Sequence, residues 1–153
     1  MLNYVKGDIV KDSKYRIICQ QVNCKGVMGA GLAKQIRNEY PGIYLDYTDA
    51  LKYKKAKLGD ILVYHEQGIN GRICVCLFGQ DGYGTDRRYT DYGAFAECLE
   101  KLITVLDSYS EEWTVAFPYG IGCGLAGGNW ETISKVLEIF SEKVRQPVYV
   151  VKR

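Results

Sequence analysis

Two glycine-rich segments of the chain follow strand-like apolar runs and lead into predicted helices. The first spans residues 26–31 and the second spans residues 122–128. Glycines allow several backbone N–H groups to converge on one anion, and the dipole of the following helix favours negative charge at its N-terminus. We therefore expect the two loops together to hold a diphosphate from both sides. The alternative interpretation is a pair of tight turns with ordinary helix caps.

The spacing around these loops differs from that of two common nucleotide-binding fingerprints. No Gly-Lys-Ser/Thr triplet follows the first loop, as a Walker P-loop would require. A Rossmann fingerprint would place an acidic residue about 20 residues further on, and no clear candidate stands there. The predicted phosphate site is therefore of another kind.

Two polar residues stand at the ends of the first two predicted strands. Asp8 follows the first strand, where a carboxylate can accept a hydrogen bond from an adenine amino group; a turn or N-cap aspartate is the alternative. Asn23 follows the second strand, and its amide can both donate and accept, which suits a ribose hydroxyl or an attacking water. An ordinary turn asparagine is the alternative for Asn23.

The elements that must position these residues alternate between strands and helices along most of the chain. Strands are predicted at 2–6, 17–22, 61–65, 72–77, 114–117 and 148–151, and helices at 31–40, 43–51, 92–106 and 130–140. A turn around Gly68 and Asn70-Gly71 joins the third and fourth strands. Pro41 ends the first helix, and Asn129 caps the last. This alternation indicates an α/β domain with a central mixed sheet.

Length and charge restrict the classes of protein to which the chain can belong. The 153 residues suffice for one domain, taken as residues 1–153, and 20 basic against 18 acidic side chains give a net charge of +2. Such a near-neutral chain carries no gross electrostatic footprint for nucleic acid, so we do not expect a nucleic-acid partner. The four lysines between residues 52 and 57 are expected on a solvated helix end; an anion-binding patch that contacts nucleic acid is the alternative.

Hydropathy and cysteine usage point to a reducing compartment. No apolar run approaches the roughly 20 residues that span a bilayer, and the first residues lack the layout of a signal peptide, so we expect a cytoplasmic protein without a membrane partner. The six cysteines fall mostly in apolar patterns, which favours free thiols over disulfides. His65 is the only histidine and no second cysteine pair completes a ligand set, so no metal or other cofactor is expected.

Three motifs, spread over nearly the whole chain, resemble those of the macrodomain family. They are Lys-Gly-Asp-Ile at 6–9, then Asn23 followed by Gly-Val-Met-Gly-Ala-Gly-Leu-Ala at 26–33, then Pro118 followed by Ile-Gly-Cys-Gly at 121–124 and Trp-Glu at 130–131. Within the family they are similar to the branch that contains the terminal ADP-ribose protein glycohydrolase and the yeast ADP-ribose 1″-phosphate phosphatase. The resemblance implies a three-layer α/β/α fold, with a central mixed sheet of about six strands, that binds ADP-ribose in a cleft at the crest of the sheet.

The resemblance also implies roles for individual residues. Asp8 would accept from the adenine amino group, with the backbone of Ile9 beside it, and Asn23 would face the distal ribose. The two phosphate-binding loops would be formed by Gly29, Ala30 and Gly31 and by Gly122, Cys123, Gly124 and Leu125. Tyr149 would stand on the adenine side. The expected partner is then ADP-ribose, an ADP-ribose derivative or an ADP-ribosylated macromolecule.

The chain lacks two residues on which the glycohydrolases of this branch depend. Their catalytic lysine corresponds to Gly79 or Gln80 here, and their catalytic aspartate corresponds to Ala126. The DNA-directed glycohydrolases of toxin–antitoxin systems, which also resemble this chain, use a lysine at the matching place. A lysine nucleophile that forms a covalent sugar adduct is therefore not expected.

The chemistry that we expect instead is hydrolysis of ADP-ribose 1″-phosphate by a positioned water. Asn23 would orient the water, Asp81 would act as the base and Gln80 would assist positioning; a plain turn carboxylate is the alternative for Asp81. Cys123 has no histidine partner and is not expected to act as a nucleophile. Two further hypotheses stay open: a non-catalytic ADP-ribose reader and a lysine-independent ADP-ribosyl glycohydrolase.

Overall fold

Six strands form one mixed β-sheet in the computed structural model, which describes residues 1–66 and 71–153. The strands of these residues are β1 (Leu2–Lys6), β2 (Ile17–Val22), β3 (Ile61–His65), β4 (Ile73–Phe78), β5 (Val115–Pro118) and β6 (Val148–Lys152). Their order across the sheet is β1-β6-β5-β2-β4-β3. Every neighbouring pair runs parallel except β3 and β4, which are antiparallel. This antiparallel edge strand makes the sheet mixed, as the sequence predicts.

Helices cover both faces of the sheet. They are α1 (Gly31–Glu39), α2 (Pro41–Lys52), α3 (Tyr92–Leu106) and α4 (Trp130–Lys143). Apolar side chains of α3 and α4 pack on one face, and those of α1 and α2 pack on the other. The expected three-layer α/β/α arrangement is therefore confirmed. Among the described residues, no helix combines the length and the apolar character needed to cross a bilayer.

Local signals in the sequence set the helix ends. Pro41 begins α2 while α1 ends at Glu39, because the residue before a proline avoids helical backbone. The Asn129 side chain accepts a hydrogen bond from the Thr132 N–H at 3.2 Å, which confirms the predicted N-cap of α4. Of the four lysines between residues 52 and 57, Lys52 ends α2 and the other three follow the helix; all four are exposed, as expected.

Two strands begin and end one residue later than predicted. The strand expected at 72–77 lies at Ile73–Phe78, and the strand expected at 114–117 lies at Val115–Pro118. In each case the pairing with a parallel neighbour, β2 or β6, continues to the last residue. Hydrogen bonding to that neighbour therefore decides where the strand ends. Most of the predicted turn at 68–71 lies outside the described residues.

All six cysteines are free thiols, as expected.

The central strand β2 leads directly to the candidate site. Its side chains alternate between the two cores, with Cys19 on the α3–α4 side and Ile18 on the α1–α2 side. Gln20 and Gln21 interrupt this apolar run near the carboxyl end of the strand. Since the carboxyl ends of parallel strands meet at one edge of a sheet, the loops after β1, β2, β4 and β5 gather there.

Candidate ligand-binding site

A cavity of about 560 Å³ opens at the carboxyl edge of the sheet. It is bounded by the ends of β2 and β5, the first turn of α1, and the loops after β2, β4 and β5. None of its described lining residues carries a formal charge, and none is a histidine. An anion in this cavity therefore has to be held by dipoles of the backbone and of neutral side chains.

The first glycine loop ends at the N-terminus of α1. Gly31 begins the helix with a φ of +57°, and the N-cap residue Ala30 provides no side-chain cap. The backbone N–H groups of Gly29, Ala30 and Gly31 make no hydrogen bond within the described residues, and the first helical turn holds no acidic side chain. All three residues line the cavity. Unpaired donors and the positive end of the helix dipole are thus available to an anion.

The second glycine loop, residues 122–128, lines the same cavity. The N–H groups of Gly122, Gly124 and Leu125 make no hydrogen bond within the part of the chain that the structure describes, and all three residues line the cavity. Gly122 has a φ of +74°, and a Cβ there would lie 3.0 Å from Gln21 Oε1, so glycine alone fits without displacement. The two loops singled out in the sequence therefore meet at one cavity.

Cys123, the remaining predicted residue of this loop, is not among the described lining residues. Its N–H donates to the Gly120 carbonyl at 2.8 Å, and its thiol lies 3.4 Å from the Ile121 carbonyl and packs against the α3–α4 core. Burial raises the pKa of the Cys123 thiol, which keeps it protonated near neutral pH. A protonated thiol in this position offers no nucleophile to the cavity.

Asn23 lines the cavity and also holds the first loop in shape. Its Nδ2 donates to the Val27 carbonyl at 2.8 Å, and its Oδ1 accepts from the Lys25 N–H at 2.9 Å. The Tyr47 hydroxyl lies 2.8 Å from Oδ1, and burial raises the pKa of this phenol, so it remains a neutral donor. The second Nδ2 hydrogen has no partner within the described residues. Asn23 thus makes the contacts of a turn asparagine and keeps one donor for a ligand.

Gln80 and Asp81, the other two predicted catalytic residues, lie in different surroundings. Gln80 lines the cavity together with the two glycine loops. Asp81 is absent from the described lining; its side chain is 66% exposed, and its carboxylate lies 3.4 Å from Lys25 Nζ. The structure therefore brings Asn23 and Gln80 to one cavity and leaves the Asp81 carboxylate outside it.

A second cavity of about 320 Å³ adjoins the first. Leu32, Pro118 and Tyr119 line both cavities, which makes them neighbours. Asp8 and Ile9, the predicted adenine contacts, line the second cavity. The residues expected to contact a base and those expected to contact phosphates thus lie side by side.

The carboxylate of Asp8 has partners within the protein. Its Oδ1 accepts from the N–H groups of Val10 and Lys11, each at 3.0 Å, and its Oδ2 accepts from Arg153 Nη2 at 2.9 Å. The Lys11 N–H and then the Arg153 guanidinium hold the pKa of Asp8 below its ordinary value. Arg153 also donates to the Gln35 side-chain oxygen at 2.9 Å when that amide is oriented to satisfy both its atoms. Asp8 Oδ2 retains room for one further donor.

Two tyrosines near these cavities are exposed to them differently. Tyr149 lines neither cavity within the described residues; it is half-buried and packs on Tyr15, with ring centroids 5.9 Å apart. Tyr119 lines both, is 42% exposed, and lies with its ring centroid 4.8 Å from that of Trp130. Of these two tyrosines, Tyr119 is therefore the one placed to contact a ligand. Its place between Pro118 and the second glycine loop is the sequence signal that could have identified it.

A polar network at the end of β2 was missed by sequence reasoning. Gln21 Nε2 donates to Gln80 Oε1 at 2.8 Å and to Thr90 Oγ1 at 2.9 Å, and the Thr90 hydroxyl donates to the Gly122 carbonyl at 2.6 Å. The available signal was a pair of glutamines within an otherwise apolar strand. The network joins β2 to the loops that follow β4 and β5.

Comparisons of the sequence identify related proteins. The Macro domain family model matches residues 19–137. The chain is 28% identical to an ADP-ribose 1″-phosphate phosphatase of Meyerozyma guilliermondii, over 98% of this chain and 98% of the relative. It is 25% identical to a DNA ADP-ribosyl transferase-DNA ADP-ribosyl glycohydrolase fusion protein of Thermosipho africanus, over 97% of this chain but 41% of the relative. The chain thus spans nearly all of one relative and less than half of the other.

Solved structures with the same fold include two bacterial proteins. The macrodomain of Mycobacterium tuberculosis DarG matches with a TM-score of 0.85 at 23% identity, covering 99% of this chain and 97% of that chain. Thermosipho africanus DarTG in complex with ADP-ribose matches with a TM-score of 0.84 at 20% identity, covering 99% of this chain and 42% of that chain. At these identities the similarity establishes the fold.

Proposed function

Because the chain belongs to the macrodomain family, we propose that it binds ADP-ribose, or a derivative of ADP-ribose, across the two adjoining cavities. The observation that carries this proposal is that two separate loops bring unpaired backbone N–H groups to one uncharged cavity. A diphosphate accepts hydrogen bonds from two sides and so suits this arrangement. We take residues 1–153 to be the single domain that carries the site.

The distribution of groups supports one orientation of the ligand. The cavity lined by the two glycine loops, called here the phosphate cavity, would hold the diphosphate, with the distal ribose beside Asn23 and Gln80. The adjoining cavity, called here the base cavity, would hold adenine, whose amino group would donate to Asp8 Oδ2. Tyr119, which lines both, would contact the adenosine part. The names of the relatives, which refer to ADP-ribose and its 1″-phosphate, support the choice of ligand.

Hydrolysis of ADP-ribose 1″-phosphate is the activity that we propose at the distal end. It is supported by the phosphatase relative, which the chain matches over 98% of that protein's length. Water would attack phosphorus, the bond from phosphorus to the ribose 1″ oxygen would break, and that oxygen would gain a proton, giving ADP-ribose and inorganic phosphate. Asn23 and Gln80 would orient the reacting groups. Asp81 would accept the proton of the water after its carboxylate leaves Lys25.

A second candidate function is binding without chemistry. It is favoured by the uncharged lining of the phosphate cavity, which holds no resident acid or base and so predicts slow turnover at best. The positions of the glycohydrolase lysine and aspartate are occupied by neutral residues, Gly79 or Gln80 and Ala126. Removal of ADP-ribose from a macromolecule would therefore have to proceed without a lysine adduct.

Calorimetry with purified protein tests the binding proposal. We expect one ADP-ribose per chain, bound more tightly than AMP because AMP lacks the second phosphate and the distal ribose. A thermal-shift titration with the same two ligands gives an independent readout. The absence of both a binding heat and a thermal shift at millimolar ADP-ribose would contradict the proposal.

Phosphate release from ADP-ribose 1″-phosphate separates the enzyme from the reader. We expect release by the wild-type protein and slower release by Asn23→Ala and Gln80→Ala, each assayed at saturating substrate. If the wild-type protein binds ADP-ribose and yet releases phosphate no faster than Asn23→Ala does, that result excludes the phosphatase and leaves the non-catalytic reader.

A further inference from the structure

The side chain of Gln21 connects β2 to two loops of the phosphate cavity. It projects from the penultimate residue of β2, and both hydrogens of its amide are used: Nε2 donates to Gln80 Oε1 at 2.8 Å and to Thr90 Oγ1 at 2.9 Å. Gln80 and Thr90 also form an isolated β-bridge with each other. The two ends of the loop after β4 are thus fastened to one amide group.

The connection continues into the second glycine loop. The Thr90 hydroxyl donates to the Gly122 carbonyl at 2.6 Å, and the same carbonyl accepts from the Gly128 N–H at 2.8 Å. The N–H groups of Tyr89 and Thr90 both reach the Ala126 carbonyl, at 2.8 and 3.2 Å. The loop after β4 and the second glycine loop therefore form one hydrogen-bonded wall, and Gln21 joins this wall to the sheet.

The other atom of the Gln21 amide packs against glycine backbone. Oε1 is buried without a hydrogen-bond partner within the described residues. A Cβ at Gly122 would lie 3.0 Å from this oxygen, and a Cβ at Gly79 would lie closer still. A buried carbonyl oxygen without a donor is unfavourable, and an aliphatic side chain would fill the same space without it. The two hydrogen bonds that Nε2 donates are what offset that cost.

We propose that Gln21 is a positioning residue that sets the shape of the distal-ribose end of the phosphate cavity. This inference rests on the proposed binding of ADP-ribose. Gln21 also lines the cavity, but both hydrogens of its amide are taken by Gln80 and Thr90 and its Oε1 is buried. It therefore acts through Gln80 and Gly122, which line the cavity as well, rather than by a hydrogen bond to the ligand. Without its two donors, the wall is no longer fastened to β2, and the contacts that it makes with the distal ribose weaken. The adenosine and its first phosphate, which lie further along, are unaffected.

The test compares two ligands in a variant that removes the donors. Gln21→Met keeps the length of the side chain and lacks the amide. We expect its Kd for ADP-ribose to rise about tenfold, as a loss of roughly 1.4 kcal/mol would give. The Kd for AMP, which does not reach the distal end, should change less than about twofold. Both values come from calorimetry on the full chain.

A matched control separates positioning from simple loss of stability. Gln146 is a second glutamine whose Nε2 hydrogens are used within the protein; unlike the half-buried Gln21 it is fully buried, and it donates to backbone, with the Leu106 carbonyl at 2.8 Å. It lies before β6 at the opposite end of the sheet. Gln146→Met should lower Tm and leave the ratio of the two dissociation constants unchanged. If Gln21→Met does not fold, Thr90→Val removes the second link of the same network and should raise the Kd for ADP-ribose selectively.

The outcomes distinguish this inference from the proposal on which it rests. Wild-type protein that fails to bind ADP-ribose overturns both. Wild-type binding together with an equal loss of ADP-ribose and AMP affinity in Gln21→Met shows a purely structural role and overturns the positioning role alone. An unchanged Kd for both ligands in Gln21→Met and in Thr90→Val does the same.

Discussion

The two adjoining cavities offer a ligand different kinds of interaction. The described lining of the phosphate cavity contains no charged side chain, and its free donors are backbone N–H groups of two glycine loops together with neutral side chains such as Asn23. The base cavity is lined by Asp8, Lys152 and Arg153, and its central feature is an ion pair between the first and the last of these. One cavity therefore depends on backbone shape, and the other depends on side-chain charge.

This difference predicts which changes each cavity tolerates. Backbone N–H groups do not titrate, and every substitution except proline keeps them, but their direction changes when a Cβ forces the loop to move. A carboxylate can be neutralised by pH or by an isosteric amide, and its exposed ion pair is screened by salt. Changes of backbone shape should therefore act mainly on the phosphate cavity, and changes of charge mainly on the base cavity.

The largest effect is expected from Gly122→Ala in the phosphate cavity. A non-glycine residue at a φ of +74° is strained by on the order of 1–3 kcal/mol. The new Cβ would also press on Gln21 Oε1, 3.0 Å away, and so shift the second glycine loop. We expect the affinity for ADP-ribose, measured by calorimetry, to fall about 100-fold.

A glycine in a helix provides the control for this change. Gly93 lies in α3, outside both described cavity linings, and a Cβ there meets its nearest atom, Asp91 Oδ1, at an acceptable 3.4 Å. Gly93→Ala should leave ADP-ribose affinity within about twofold of wild type. If Gly122→Ala binds as well as Gly93→Ala, the second loop does not hold the phosphates.

A smaller effect is expected from Asp8→Asn in the base cavity. The asparagine oxygen can still accept from the N–H groups of Val10 and Lys11, which Asp8 Oδ1 holds at 3.0 Å. The amide nitrogen in place of Oδ2 can no longer accept from an adenine amino group. Leaving that donor unpaired costs about 1–3 kcal/mol, so the affinity for ADP-ribose should fall at least several-fold. Asp8→Ala loses the turn contacts as well and is the less specific variant.

The inosine analogue of ADP-ribose sharpens this test, because its base lacks the amino group. Wild-type protein should bind the analogue more weakly than ADP-ribose, and Asp8→Asn should bind the two about equally. If Asp8→Asn lowers the affinity for ADP-ribose and for the inosine analogue by the same factor, the carboxylate supports the shape of the cavity without recognising the base.

The sequence was sufficient to predict those parts of the fold and site that depend on local pattern. The bounds of β1, β2, β3 and α3 follow from periodicity, and the glycine loops follow from composition beside strand ends. The contacts that close the site are of another kind. Asp8 and Arg153 are 145 residues apart, and Gln21 and Thr90 are 69 apart. Polar side chains that meet only through tertiary folding leave no periodic signal, so their pairing could not be predicted.

For the same reason, the sequence could not show which tyrosine lines the cavities or where the predicted catalytic base, Asp81, lies. Tyr119 directly follows β5, and Tyr149 lies within the neighbouring strand β6. Of the two, only Tyr119 is among the described residues that line the cavities. Which one faces a ligand depends on the strand alternation and on the loop that covers it. The carboxylate of Asp81 lies outside the cavity and 3.4 Å from Lys25 Nζ, an arrangement that sequence spacing does not reveal.

Salt should affect ADP-ribose binding only weakly. Hydrogen bonds from backbone amides are short-range, whereas attraction by exposed lysines or arginines is screened over a Debye length of about 8 Å at physiological ionic strength. We expect the Kd for ADP-ribose to change less than about threefold between 50 and 500 mM NaCl, as measured by calorimetry. A steep loss of affinity would show that charged side chains outside the described lining hold the phosphates, and the contrast between the cavities would fail.

The smallest effect concerns the dependence of stability on pH through Asp8. The pKa of Asp8 is lowered in the folded protein, first by the Lys11 N–H and then by Arg153, so its contribution to the free energy of unfolding is present above the unfolded pKa, near 4, and is lost as pH falls through the folded pKa. Wild-type protein should therefore be more stable than Asp8→Asn at pH 6, and the difference should narrow below about pH 4 in urea unfolding. Arg153→Gln keeps the Lys11 N–H as a donor to Asp8. The stability difference between Arg153→Gln and the double variant Arg153→Gln with Asp8→Asn should therefore still narrow below about pH 4, almost as much as it does without Arg153→Gln. If removal of Arg153 abolishes the narrowing, the ion pair rather than the Lys11 N–H stabilises the carboxylate, and side-chain charge controls the base cavity even more strongly than the hydrogen-bond geometry indicates.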